Sequence, residues 1–310
     1  MTSPIAVPEL TATTVAPRGR IHWSDRSRQE RLGYRLLLPT LGTVVVVATI
    51  PFLLAVVQAL TSASGAFVGL DNFTNALGNA ALYESVRQTA IYAAVVLPTE
   101  ILLGLGLALL VHRTVRSPAI RAAIYVAAMI PIFIPQIAVG VVFRLVFAPD
   151  YGILNVLLGD TGRNQILWLS SPPLAMLSVA TVDVWQWTPF VYLVLFAGLQ
   201  TVPSESVEAA QVDGASPWRQ FVHIELPYIR PLLLLALFFR IADVLRVFDH
   251  VYVLTGGGPG TTTQFLSLYL YRVGFRFSDL SQASALAVVV MVAMTIFYTL
   301  ISRFLPVETR

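Results

Sequence analysis

The sequence contains no cysteine and no lysine; its 20 basic residues are all arginine. Without cysteine there is no disulfide framework, no thiolate nucleophile and no cysteine metal site. Without lysine a Walker-type phosphate loop lacks the amine that reaches the nucleotide, so the chain does not bind ATP in that way, and Schiff-base chemistry is excluded as well. Charge is scarce too. Charged residues make up 12% of the chain, where a soluble domain carries about 25%. The four histidines, His22, His112, His223 and His250, are far apart and lack metal-ligand spacing. No nucleophile–base pair suggests a membrane enzyme. What fills the chain instead is apolar: 56% of 310 residues are hydrophobic, which points to an all-α polytopic membrane protein.

Residues 1–35 are rich in Pro, Thr, Ser and Ala and then in Arg. The first apolar run starts too late and is too long for a cleavable signal peptide. The segment reads as a flexible tail with a basic, membrane-adjacent end, Arg26 to Arg35. Those arginines act as topology signals, and anionic membrane lipid is the partner they would meet.

A membrane helix needs about 20 mostly apolar residues. Six segments qualify: 36–60, 89–111, 122–147, 174–199, 232–254 and 283–301. Nothing alternates with the two-residue period of a barrel strand. The spans define a membrane domain over 36–303, with a short C-terminus at 304–310. Thirteen arginines fall on the side of the tail, the 112–121 loop, the 200–231 loop and the C-terminus. Three, Arg163, Arg272 and Arg276, fall on the other, and Arg87, Arg144, Arg240 and Arg246 lie at or inside spans. The positive-inside rule therefore puts both termini and the 200–231 loop in the cytoplasm. Abundant Ala, Val and Arg with no lysine suits a GC-rich bacterial origin.

The 200–231 loop is the polar exception in an oily chain. Pro203 and Ser204 can start a short helix with Glu205 in its first turn. Asp213-Gly214 is a turn signal, Gly supplying a left-handed residue. Ser216 then caps a second helix with Pro217 at its first position, carrying Trp218, Phe221, Val222 and Ile224, and Pro227 is expected to stop it. Exposed Trp218 and Phe221 would anchor in a groove on a protein partner.

Glu208-Ala209-Ala210, Asp213-Gly214-Ala215, Phe221, Ile224, Leu226-Pro227 and Pro231 resemble the EAA loop of binding-protein-dependent ABC importer permeases. The resemblance implies type I importer architecture, with 201–231 as a coupling helix docked into the ATPase. It makes Glu208, Ala209, Ala210, Asp213, Gly214, Ala215, Trp218, Phe221, Leu226 and Pro227 the ATPase-coupling residues. The stretches 67–73 (Phe-Val-Gly-Leu-Asp-Asn-Phe), 149–152 with Asn155, and Phe248-Asp249, Tyr252 and 254–259 are similar to carbohydrate-type permeases, the MalF-like sugar permeases. The chain departs from the enterobacterial maltose subunit, which carries extra N-terminal spans and a large periplasmic insertion. The family implies a second permease, two ATPase subunits that hold ATP and Mg, and an extracytoplasmic solute-binding protein. No cofactor on this chain and no nucleic-acid partner are expected.

The fifth span holds Arg240, Asp243, Arg246 and Asp249, spaced by three. A charge at mid-bilayer costs roughly 2.5–3.5 kcal/mol, so these residues are paired, interfacial or facing a wet cavity. Two readings stay open: a self-sufficient ladder of alternating sign, or a substrate path that hydrogen-bonds sugar hydroxyls. The fourth span adds Asp183, Trp185, Gln186 and Trp187, acid and indole being good sugar-binding chemistry, with interfacial tryptophan as the alternative. The substrate-path residues are thus Asp183, Trp185, Trp187, Arg240, Asp243 and Asp249. Glu100 and Arg144 are isolated intramembrane charges, and Pro131, Pro135 and Gln136 break the third span. The run Gly256-Gly257-Gly258-Pro259-Gly260 reads as a flexible outer turn. The function implied is a permease subunit importing a di- or oligosaccharide or polyol at the expense of ATP. Glycerol phosphate is the alternative within the family; an ion-coupled secondary carrier is the alternative outside it.

Overall fold

The computed structural model describes residues 23–159 and 165–304. The described residues are helices and their connections, apart from one isolated strand-type bridge between Thr61 and Phe67. Four long helices are α1 (Trp23–Ala59), α3 (Ala80–Thr114), α7 (Pro172–Leu199) and α13 (Leu280–Phe304). Between them lie α2 (Asp71–Leu77), α4 (Pro118–Phe133), α5 (Gln136–Val146) and α6 (Ile153–Leu158). After α7 come α8 (Ser204–Val212), α9 (Pro217–Gln220), α10 (Leu226–Val244), α11 (Asp249–Leu254) and α12 (Leu266–Tyr271). Among the described residues, five helical segments are long and apolar enough to cross a membrane, and six if the bent α4–α5 pair is one span. The chain is a multi-pass membrane protein.

It divides into two compact units, one ending at Leu54 and one beginning at Ala55. The described part of the first unit is the proline-bearing body of α1, with Pro39 and Pro51 inside the helix. Residues 23–35, expected in the tail, are already helical. The rest of that tail, residues 1–22, lies outside the described residues, as do Arg163 and residues 305–310.

In the second unit the scaffold is the crossing of α3 and α7. Gly104 on α3 sits so close to α7 that a Cβ there would lie 2.7 Å from the Val191 Cβ; a small residue lets the two backbones meet. One core cluster lies to one side of this crossing, with Tyr92, Val96, Val179 and Val182 beside Val251 and Phe265. A second has Ala108, Val111, Tyr192, Leu195, Phe221 and Ile229.

The third span is broken where the prolines place the break. Ile134 is extended at φ −77°, ψ 126°, as the residue before a proline prefers, and α4 and α5 meet at 93°. The fifth span corrects expectation. It does not run unbroken over 232–254: α10 stops at Val244 and the chain resumes helix only at Asp249. No proline or glycine marks this break. Its cause is tertiary: α11 lies against α5, where a Cβ on Gly140 would stand 3.1 Å from the His250 Cα. His250 and Val251 are fully buried there.

Candidate functional site

The 201–231 loop forms as its residue pattern dictates, with two exceptions. Glu205 lies in the first turn of α8, where a carboxylate suits the helix dipole. Asp213 ends α8, Gly214 takes φ +74°, and the Ala215 N–H donates to the Ala210 carbonyl at 2.9 Å. The Ser216 hydroxyl accepts from the Arg219 N–H and Pro217 opens α9. Glu208, Ala209, Asp213 and Gly214 are exposed, and Ala210 and Ala215 half-buried. The largest apolar surface is Trp218, 71% exposed, with Val212, 88% exposed, which the sequence reading did not single out.

The first exception is Phe221. It is not an exposed anchor but a buried one, 6% exposed, its ring 5.6 Å from that of Trp218 and its body in the cluster with Val111 and Tyr192. The second is Pro227, which does not stop the helix. Residues Phe221–Glu225 form a π-helical turn, and the Leu226 N–H donates to the Phe221 carbonyl. At Pro227 the register reverts to ordinary α-helix, so its missing N–H falls where the switch of register leaves a donor dispensable. Leu226 is half-buried and Pro227 exposed, and the helix continues into α10.

The second candidate region surrounds Arg240, which is fully buried. Its Nε and Nη2 donate to the two oxygens of Glu100 on α3, at 2.6 and 2.8 Å. Nη2 also reaches Asp183 on α7 at 3.0 Å, and Nη1 reaches Asp243, one turn along α10, at 2.6 Å. The Trp187 ring lies under the guanidinium, 4.8 Å from Cζ to the ring centroid. Planarity and forked donors let arginine bind one carboxylate with two bonds and still serve others. Three carboxylates face one guanidinium. Glu100 and Asp183 are sealed, whereas the Asp243 side chain is 36% exposed. That open member borders a cavity of about 260 Å³ lined by Trp187, Phe190, Phe239 and Arg246.

The alternating ladder, one of the two readings of the fifth span, does not form. Only Arg240–Asp243 pairs within it; the Arg246 Nε donates to the Ala242 carbonyl, and Asp249 sits in the first turn of α11, apart from the centre. Glu100, read as isolated, is the strongest partner. Trp185 points away from Asp183 and packs on Phe143, ring centroids 5.2 Å apart, because α-helical spacing puts Asp183 and Trp187 on one face and Trp185 on another. The second isolated charge, Arg144, donates to the Val253 carbonyl at 3.3 Å.

At the far end the glycine-rich run is pinned rather than loose. The Thr263 hydroxyl donates to the Gly258 carbonyl at 2.7 Å, and Arg272 donates to Gln264 and to the Gly256 carbonyl. Burial and the neighbouring Arg276 lower the Arg272 pKa from its usual value. No group of His, Asp and Glu among the described residues is arranged to hold a metal ion.

Residues 100–306, which include both regions, match the model of the family described as binding-protein-dependent transport system inner membrane component. The chain belongs to this family. A relative within reach of this inner-membrane component is the trehalose/maltose transport system permease protein MalF of Thermococcus litoralis, 35% identical over 285 residues, 89% of this chain and 95% of the relative. Among solved structures, a chain of a bacterial ABC transporter involved in the import of the acidic polysaccharide alginate superposes with a TM-score of 0.79. It is 24% identical and covers 93% of this chain and 99% of its own, which establishes a shared fold. In a second structure the alginate transporter is in complex with an alginate pentasaccharide-bound periplasmic protein; there the TM-score is 0.74 and the identity 25%, over 91% of this chain and 97% of that one. The inner-membrane component thus has the all-helical permease fold of ABC importers, and a binding protein is the partner that its family name requires.

Proposed function

We propose that this permease subunit carries a di- or oligosaccharide or polyol across the bacterial inner membrane, driven by ATP hydrolysis on separate subunits. One observation carries the reading: a membrane protein displays Val212 and Trp218 at 88% and 71% exposure on a rigidly capped helix–turn–helix. Such a surface is unfavourable unless covered, and large aromatics are the residues that anchor protein interfaces. The occupant is an ATPase subunit, ATP and Mg being bound there and not on this chain, which carries no catalytic residue. Two ATPases and a second permease complete the assembly, both termini lie in the cytoplasm, and the solute-binding protein docks at the opposite face.

The sugar path runs by Asp243 and Trp187. Asp243 offers an accessible acceptor for hydroxyls and Trp187 an apolar ring face, while Arg240, Glu100 and Asp183 fix both in place. The named sugars of the Thermococcus relative support a saccharide. Alternating access is then a two-state equilibrium biased by nucleotide on one side and loaded binding protein on the other.

Affinity purification of the tagged permease from cells expressing the whole operon tests the reading. The ATPase subunit is expected to co-purify, and Gly214→Asp to reduce its yield or to leave hydrolysis without transport. A wild-type permease that never retains an ATPase would refute it.

A further inference from the structure

A second ion pair joins the same two helices that the buried centre joins. The Arg113 Nη2, in the last turn of α3, donates to the Glu225 Oε2 at 2.7 Å and to the Pro217 carbonyl at 3.3 Å. Glu225 ends the π-helical turn that leads from α9 into α10, and its side chain is 4% exposed; that of Arg113 is 35% exposed. One guanidinium therefore holds both the start of α9 and the end of the π turn. The other pair is Arg240 with Glu100.

Thirteen residues separate Glu100 from Arg113 on α3, and fifteen separate Glu225 from Arg240 on the other helix. At a rise of 1.5 Å per residue these are roughly 20 and 22 Å. The matched lengths mean that α3 and α10 run antiparallel, cross-tied by an ion pair at each end. Between the ties Ala108, Val111 and Ile229 share one buried cluster. From Pro217 to Val244 the helix is continuous through the π turn. The segment that bears Trp218 and the segment that bears Arg240 and Asp243 are therefore one rod.

We infer that Arg113 and Glu225 are positioning residues that clamp α3 to the α9–α10 rod, so that the two helices move as one lever between the exposed Trp218 surface and the Arg240 centre. This rests on the coupling reading above. A helix displaced at Trp218 alone could rotate or slide past α3 at a soft π turn; with both ties in place the displacement reaches Glu100, and through Arg240 it reaches Asp183 on α7. The Arg113 tie is the one that acts at the loop end, before the motion enters the bundle.

The absence of cysteine makes the test direct. Leu103→Cys on α3 and Leu235→Cys on α10, 49% and 45% exposed, are spin-labelled in the full importer assembled with cysteine-free partner subunits. The label distance is read without nucleotide and with ATP and vanadate. In the otherwise wild-type chain the distance stays constant to within one helical rise, about 1.5 Å. In Arg113→Ala it shifts or broadens by more than that on adding nucleotide, while the ATPase still co-purifies; Glu225→Gln does the same and Arg113→Lys restores constancy. A nucleotide-driven shift already present in the wild-type chain, or an unchanged distance in Arg113→Ala, overturns the clamp. So does an Arg113→Lys chain that behaves as the alanine variant. If no ATPase associates with the wild-type chain, the coupling reading itself has failed, an outcome distinguishable from the others.

Discussion

The 201–231 loop and the mid-bundle centre break opposite rules of burial. At the loop end, apolar Val212 and Trp218 face outward beside charged and polar residues. At the centre, Arg240, Glu100 and Asp183 are sealed among apolar helices. Trp218 touches Phe221 with one side of its ring and leaves the rest uncovered, so its exposed face reports on a partner. The buried arginine is satisfied within the chain by three carboxylates, so it reports on the architecture first. The difference teaches which region tolerates change. Substitutions at the loop should alter association and spare the fold; substitutions at the sealed part of the centre should damage the fold itself, with Asp243 as its functional exception.

Arg240→Ala is expected to have the largest effect. It leaves Glu100 and Asp183 as uncompensated buried charges, and breaking a buried pair from one side costs about 3–5 kcal/mol. Thermal unfolding in detergent should show a collapse in stability or yield, and an unfolding temperature equal to wild type would break the contrast. Trp218→Ala comes next. An interface anchor of this kind is worth about 2 kcal/mol or more of binding, so ATPase retention should fall while the unfolding midpoint stays put. Gly214→Ala follows: open space surrounds the position, but a left-handed backbone costs an L-residue about 1–2 kcal/mol. Retention of the ATPase should weaken, and less than in Trp218→Ala. Asp243→Asn should perturb least in stability, since its side chain is partly solvated and the guanidinium keeps two other carboxylates. Uptake of the labelled saccharide that the cognate binding protein retains should nevertheless drop. Normal uptake in Asp243→Asn would remove it from the sugar path.

The loop was legible because its signals are local. Glu205, the Asp213-Gly214 turn and the Ser216-Pro217 cap each act within a few residues, and the structure follows them. Phe221 and Pro227 were misjudged because their fates depend on more than local pattern. Phe221 is drawn inward by Val111 and Tyr192 of other helices, and Pro227 is accommodated by a π turn that no simple periodicity signals. The centre was legible only in part. Spacing by three suggested a ladder along one helix, and it placed Asp243 next to Arg240. The partners that matter most, Glu100 and Asp183, lie 140 and 57 residues away, and sequence spacing carries no information about such contacts. The third-span break was visible in its prolines, while the break after Val244 has no such mark and comes from packing of α11 on α5. The Arg113–Glu225 pair has no mark in the sequence either, its members lying 112 residues apart.

The most direct test of the account is solute accumulation by vesicles reconstituted with the permease pair, the ATPase subunits and the binding protein, using the labelled saccharide that the binding protein retains. The account predicts accumulation only when ATP is present on the ATPase side and the binding protein on the other, with loss of accumulation in Trp218→Ala. Accumulation of that saccharide by this polypeptide alone, without nucleotide and on an ion gradient, would contradict it.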